Sequence, residues 1–200
     1  MVTLSDAINT VVENRLIEMH TSMPGIVKSF DGDTGTIQVV PALKRKTVNN
    51  EVIELPVIND VPVVYPQTSK AAFTFPLSEG DEVLLIFSER SIDSWKELGG
   101  VVDPLDFRKF QLSDAFAIPF SRSKQVATDK MQIKYENGII SIDDDGKYSI
   151  GNSNQELLDL ISQLLDALVS AKVNTQLGPQ PLINAATFAQ IKTDLGEIKQ

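Results

Sequence analysis

The apolar positions change period along the chain, and the changes mark four segments. Near the start, Leu4, Ile8, Val12, Leu16 and Met19 recur at near-helical spacing, with Val11 beside them. This predicts a helix over about residues 3–20 with one apolar stripe, stopped by Met23-Pro24-Gly25. From 24 to 122 the runs are short and rich in β-branched residues. Ile26-Val27-Lys28-Ser29-Phe30 and Thr36-Ile37-Gln38-Val39-Val40 flank the turn formers Asp31-Gly32-Asp33-Thr34-Gly35 and predict a hairpin. Val52-Ile53-Glu54-Leu55 and Val61-Pro62-Val63-Val64-Tyr65 continue the pattern. After the turn Ser78-Glu79-Gly80-Asp81, the run from Glu82 to Ser88 is the most apolar and is expected to be buried on both faces. Many short strands with Pro and Gly between them predict a small barrel. Pro56, Pro62, Pro66 and Pro76 should sit at strand starts, edges or bulges, where a missing N–H is tolerated.

Residues 123–152 change character. Met131, Ile133 and Tyr135 alternate with Gln132 and Lys134; Ile140 and Ile142 flank Ser141; Tyr148 and Ile150 flank Ser149. Asn137-Gly138 and Asp143-Asp144-Asp145-Gly146 are the turns between them. Three short strands with one apolar face cannot bury that face alone, and self-association is the simplest cover. Residues 153–200 read as helical. Ser153 and Glu156 have capping-box spacing, with Ser153 as N-cap. Leu157, Ile161, Leu164 and Leu168 form a heptad seam, widened by Leu158 and Leu165. An ordinary amphipathic helix packed on its own domain fits the same spacing. Gly178-Pro179-Gln180-Pro181 interrupts the run, and Phe188, Ile191, Leu195 and Ile198 make a second stripe.

Composition narrows the functional classes. At 42% hydrophobic and 22% charged, the 200 residues can build a core. A net charge of −9 opposes phosphate backbones, and Lys44-Arg45-Lys46, with no aromatic interleaved, reads as a solvated loop. There is no cysteine, so disulfides, thiol catalysis and cysteine metal sites are excluded. Met1-Val2-Thr3-Leu4-Ser5-Asp6 does not predict a signal peptide, and no run approaches the ~20 apolar residues of a membrane span.

Candidate chemistry is sparse. His20 is the one histidine, with no serine, cysteine or aspartate motif around it, and is expected to be a packing or surface residue. No nucleophile-elbow, P-loop, dinucleotide or His-Glu-x-x-His motif occurs. Asp143-Asp144-Asp145-Gly146 lacks the spacing of a calcium loop and reads as a hairpin turn, as does Asp31-Gly32-Asp33. Neither Glu79/Asp81 nor Asp103/Asp106 is marked as an acid–base pair. Trp95 is expected to be a partly buried anchor at the side of the barrel. No enzymatic activity, cofactor or metal is expected.

Residues 24–122 carry a resemblance in the order of their features. These are Pro24-Gly25-Ile26-Val27, Val39-Val40-Pro41-Ala42, Leu55-Pro56, Asp60-Val61-Pro62-Val63 and Phe75-Pro76-Leu77. Gly80-Asp81-Glu82-Val83-Leu84-Leu85, the run from Ser88 to Trp95, and Leu112-Ser113-Asp114-Ala115-Phe116-Ala117-Ile118-Pro119 complete the set. The stretch resembles the N-terminal OB-fold domain of contractile-phage baseplate central spike proteins, the membrane-piercing needle family. The resemblance implies a mainly β, homotrimeric structural protein of the virion tail baseplate, made in the host cytoplasm. It would have an N-terminal helix (1–23), an OB-fold barrel (24–122), a short intertwined triple-stranded β-prism (123–152) and C-terminal helices (153–200). It would dock under the tail hub among other baseplate proteins and meet the host outer membrane during sheath contraction. The expected trimer interface is Ile133, Tyr135, Ile140, Ile142, Tyr148, Ile150, Leu157, Ile161, Leu164 and Leu168. The chain departs from the family in one respect. The His-x-His motif that holds an apical iron in some members needs a second histidine, so a separate tip protein, a blunt end or the helical tail would form the apex. Two other classes fit parts of the sequence: an OB-type binding module for nucleic acid or sugar, and a tail-associated lysin.

Overall fold

The alternating runs become strands, and the period of two decides which side chains enter the core. In the computed structural model, which describes residues 3–47, 50–122 and 129–199, the chain divides into two units, Met1–Lys124 and Gln125–Gln200.

The first unit opens with α1 (Leu4–Ile17). Thr3 starts it through a reciprocal capping box: its hydroxyl accepts the Asp6 N–H at 3.2 Å, and the Asp6 carboxylate accepts the Thr3 N–H at 2.9 Å. The helix stops at Ile17, earlier than its stripe suggests, and Met23-Pro24-Gly25 lies inside the next strand. Strands β1 (Ser22–Asp31), β2 (Thr36–Pro41), β5 (Ile58–Pro62), β6 (Glu82–Phe87) and β7 (Ala115–Pro119) form one sheet in the order β5-β2-β1-β6-β7. The two-residue strands β3 (Arg45–Lys46) and β4 (Val52–Ile53) pair as a separate ribbon. The expected strand 52–55 is therefore only two residues long, and the one expected at 61–65 lies earlier, at β5.

Register shifts at Val27/Ser29 in β1 and at Ile37/Val39 in β2 curl this sheet, because an extra residue on one strand bends it and increases its twist. The curl brings Val63, just past β5, beside Ala117 of β7 as a parallel bridge, and the Val64 N–H donates to the Ala117 carbonyl at 2.8 Å. The result is a half-barrel around Val27, Ile37, Val39, Val61, Val83, Leu85 and Phe87. Strand β6 is not buried on both faces as its composition suggested. Val83, Leu85 and Phe87 point inward, while Leu84 is half-buried and Ile86 exposed. An antiparallel sheet curled on itself has one core face. Gly25 sits where β1 passes between β2 and β6. A Cβ there would lie 2.7 Å from Val39 Cγ2 and 3.0 Å from Leu85 Cδ1, so the close approach requires glycine. Between β6 and β7 run the short helix α2 (Asp93–Leu98) and a single 3-10 turn, Leu112–Asp114.

The second unit begins with β8 (Met131–Tyr135), β9 (Gly138–Ile142) and β10 (Tyr148–Gly151), an antiparallel meander in the order β10-β9-β8. The first turn comes one residue earlier than Asn137-Gly138 suggests. Tyr135 pairs with Gly138, and Glu136 takes the left-handed conformation at φ 49°. The second is built on Asp143, whose Oδ1 accepts the N–H groups of Asp145 and Lys147 at 3.0 and 2.8 Å.

Helix α3 (Leu157–Ser170) is capped by Glu156, not by Ser153. Gly151 bridges back to Glu156 across a tight turn in which Asn152 Oδ1 accepts the N–H groups of Asn154 and Gln155. That turn uses up the residues a Ser153 cap would need. The remainder is not wholly helical. Lys172–Thr175 (β11) and Gly178–Pro181 (β12) form a hairpin before α4 (Ala185–Ile198).

Candidate functional site

Several candidate side chains of the first unit are engaged in structure. Asp31 Oδ1 accepts the N–H groups of Asp33 and Thr34 at 2.9 and 3.3 Å, and these bonds lower its carboxyl below the ordinary range. His20 is half-buried with its ring 5.5 Å from Phe87; burial, then Arg45, lowers its pKa and favours the neutral form. Lys44 of the basic run pairs with Glu54 at 2.6 Å on the surface. Asp81 accepts the Ser78 N–H at 2.8 Å. Trp95 stacks edge-on against Phe116 at 5.7 Å and remains close to half exposed. With Phe30, Tyr65 and Phe75 these rings line an open groove of about 860 Å³.

One constellation was not singled out by sequence reasoning. Asp114 is fully buried, and Arg108 reaches it with two bonds, Nε to Oδ2 at 2.7 Å and Nη2 to Oδ1 at 2.9 Å. The same guanidinium contacts Asp93 at 2.5 Å and Asp106 at 2.9 Å, and the Ile92 N–H completes Asp114 at 3.1 Å. Burial pushes the Asp114 carboxyl up, but Arg108 and the Ile92 N–H outweigh it and hold it below the ordinary range. Asp93, after β6, and Asp114, before β7, are thereby fastened together, so the knot clamps the long connection between two barrel strands. The sequence signal was an arginine set among three aspartates that lie from two to fifteen residues away.

The second unit differs in kind. Among its described residues Leu165 is the only buried hydrophobic one. The register explains where the rest lie. Ile133 pairs with Ile140 and Ile140 with Ile150; Met131 pairs with Ile142 and Ile142 with Tyr148; Tyr135 pairs with Gly138. Directly opposed residues share a face, so all six expected sheet residues, with Met131, stand on one side of the meander. That side is open: Tyr135 is 60% exposed, Ile133 48% and Ile140 46%, with Ile142 half-buried. The opposite side carries Gln132, Lys134, Ile139 and Ser149, and its Ser141 is buried. The meander thus leaves its apolar face bare, while its other face is partly covered, with Ser141 buried and Gln132, Ile139 and Ser149 half-buried.

Helix α3 is divided in the same way. Leu165 turns inward as α3 packs along α4, with Lys192 bonded to Asp166 at 2.5 Å and Lys199 paired with Asp159. Of the expected seam, Leu157, Ile161 and Leu164 are exposed, Leu168 is half-buried, and Leu160 joins the exposed stripe. Leu160 lies one turn from both Leu157 and Leu164, a spacing that could have identified it. Leu165, expected to widen an intermolecular seam, is buried within the chain. On α4, Ile191 and Ile198 are exposed while Phe188 and Leu195 are half-buried.

Comparison with known families falls on the other unit. Residues 23–120 match the family model described as phage protein Gp138 N-terminal domain, which runs from the start of β1 to the end of β7 and covers just under half of the chain. No curated protein matches the chain. The matched half-barrel therefore supports a phage protein family for this chain.

Proposed function

We propose that this chain is the homotrimeric central spike of a contractile tail baseplate, a structural part with no catalytic or cofactor role. On this reading the curled sheet of the first unit is an OB-type barrel that docks under the tail hub. The meander of the second unit closes with two other copies into a stiff prism on the threefold axis. Force from sheath contraction would then pass along that prism to the host envelope. Among residues 129–199, a 71-residue stretch, one buried hydrophobic residue cannot offset the entropy of ordering the chain, and this observation carries the reading. Three apolar faces meeting on an axis supply the missing core and leave no free sheet edge. The phage family match suggests a virion component and is consistent with this assignment.

Light scattering on the full chain should give three times the chain mass. Ile140 is the central residue of the bare face. Ile140→Asp would bring three carboxylates near one axis, and the trimer should be lost at micromolar concentration while the half-barrel keeps its circular-dichroism signal. A monomeric wild type, or an Ile140→Asp variant that remains trimeric, would overturn the proposal.

The aromatic groove beside Trp95 favours a second reading, an OB-type binding module. The net charge of −9 disfavours nucleic acid and leaves a neutral glycan as its ligand. Calorimetric titration with oligosaccharides, compared with a Trp95→Ala variant, distinguishes this from a purely structural role.

A further inference from the structure

The groove beside Trp95 is assembled from separate stretches of the first unit. Asp33 comes from the turn between β1 and β2, Tyr65 from the chain just past β5, Phe75 from the loop before β6, Trp95 from α2 and Phe116 from β7. Hydrogen bonds set these walls in place without a ligand. The Val63 N–H donates to the Gly35 carbonyl at 3.0 Å, and the Tyr65 hydroxyl donates to the Phe75 carbonyl at 2.6 Å. Next to Trp95, Lys96 Nζ donates to the Asp60 carbonyl at 2.9 Å. A preformed wall lowers the ordering cost of binding.

The rings stand as two steeply tilted pairs, Trp95 against Phe116 at 71° and Tyr65 against Phe75 at 80°. Each pair turns ring surface in two directions, so a rounded ligand can meet π-faces on more than one side. Trp95 is 45% exposed and Phe75 37%, so the core does not use up their surfaces. The face of an aromatic ring is the negative end of its quadrupole and attracts a cation.

Charge selects the occupant. Among the described residues Asp33 is the only charged one that lines the groove. Its backbone N–H is held by Asp31, but its carboxylate makes no hydrogen bond or ion pair among the described residues. The neighbouring hydroxyls are already committed: that of Thr34 pairs with Thr36 at 2.8 Å, and that of Tyr65 is given to Phe75. A hydroxyl-rich sugar would find few free partners here, whereas a cation meets ring faces and an unpaired carboxylate together. A primary ammonium is strongly hydrated, and ring faces do not replace its water. An alkylated ammonium carries the same charge behind an apolar exterior, which suits aromatic walls. We infer that the groove binds a quaternary ammonium group of the kind carried by choline. The inference rests on the groove being a ligand site, as in the second reading above, and replaces its glycan with a cation.

The test uses the purified full chain. Trp95 is its single tryptophan, so tryptophan fluorescence reports this groove alone. Choline chloride, with ionic strength matched by sodium chloride, should change that emission saturably. It should bind about tenfold more tightly than dimethylbutanol, the isostere in which an uncharged carbon replaces the nitrogen. In calorimetric titrations Trp95→Ala should weaken choline binding about tenfold, and Asp33→Asn about threefold. The turn is held by Asp31, so Asp33→Asn should keep the wild-type melting temperature, and its loss of affinity is then not a loss of fold. Sedimentation with phosphatidylcholine vesicles, against phosphatidylglycerol vesicles, identifies the source. Capture by the former assigns the cation to a lipid headgroup, and choline binding without capture assigns it to a soluble ligand. Equal affinity for choline and its isostere, or wild-type affinity in either variant, would overturn the inference. Oligosaccharide binding without choline binding would also overturn it and leave the binding-module reading standing. Silence toward both would remove the groove as a ligand site and both readings with it.

Discussion

At the scale of single residues, the strongest commitment in the molecule is Asp114. A carboxylate with no exposed surface is tolerated because a guanidinium meets both of its oxygens and a backbone N–H completes it. Its folded pKa lies below the ordinary aspartate value, so its contribution to stability is fully present above about pH 4, the unfolded value, and is lost as pH falls through the folded one. Arg108→Met reverses the sign. It leaves a buried, unpaired carboxyl whose pKa rises, so the variant should lose about 3–5 kcal/mol at neutral pH and recover part of it on acidification. Urea unfolding of the first unit at neutral pH and near pH 4 measures both. A constant difference between the two proteins across that range would rule out the assigned role of the ion pair. The sequence showed an arginine set among Asp93, Asp106 and Asp114 but not which of them it meets in a buried pair. Which of several aspartates an arginine meets depends on how a connection of nearly thirty residues folds back, and no local spacing encodes that.

At the scale of elements, legibility follows the range of the forces involved. The meander was readable because alternation and turn chemistry are local, and its strands form within a residue or two of their expected places. The hairpin of β11 and β12 was missed because two prolines in four residues argue against a strand. The register shows why they fit. Thr175 pairs with Gly178 and Val173 with Gln180, while Pro179 and Pro181 fall on the alternate pairs, where a strand's N–H points away from its partner. The alternation Gly-Pro-Gln-Pro was itself the signal. The cap of α3 was misplaced for a related reason. Glu156 does two jobs, accepting Asp159 N–H at 2.7 Å to start the helix and Ile150 N–H at 2.9 Å from β10. Burial raises its pKa, but the N–H groups of Ile150, Leu158 and Asp159 outweigh this and leave it lowered. Replacing Glu156 with Ala should cost about 1–2 kcal/mol in the second unit, whereas Ser153→Ala should cost almost nothing. Equal losses from the two substitutions in thermal melts would restore Ser153 as the cap.

At the scale of the whole chain, the two units draw stability from different sources, and this can be measured without any knowledge of partners. The half-barrel has a continuous buried cluster from Val27 to Ala117. Its folding is internal, so its unfolding midpoint should not depend on protein concentration. The second unit has Leu165 and little else inside, so on the trimer reading most of its stability arises when copies meet. Mass action then acts on it alone. For a trimer, each tenfold rise in concentration favours assembly by about 0.9 kcal/mol per chain, which for a unit of this size shifts the midpoint by roughly 5 °C. Scanning calorimetry over a hundredfold concentration range, under conditions where unfolding reverses, should therefore show one fixed transition and one that climbs. Ile140→Asp should remove the climbing transition and leave the fixed one in place. Two transitions that both ignore concentration would mean that the second unit is stable as a single chain, and the bare apolar face would then need another explanation. The same experiment separates self-association from docking on a foreign protein, because only self-association changes with the concentration of the purified chain.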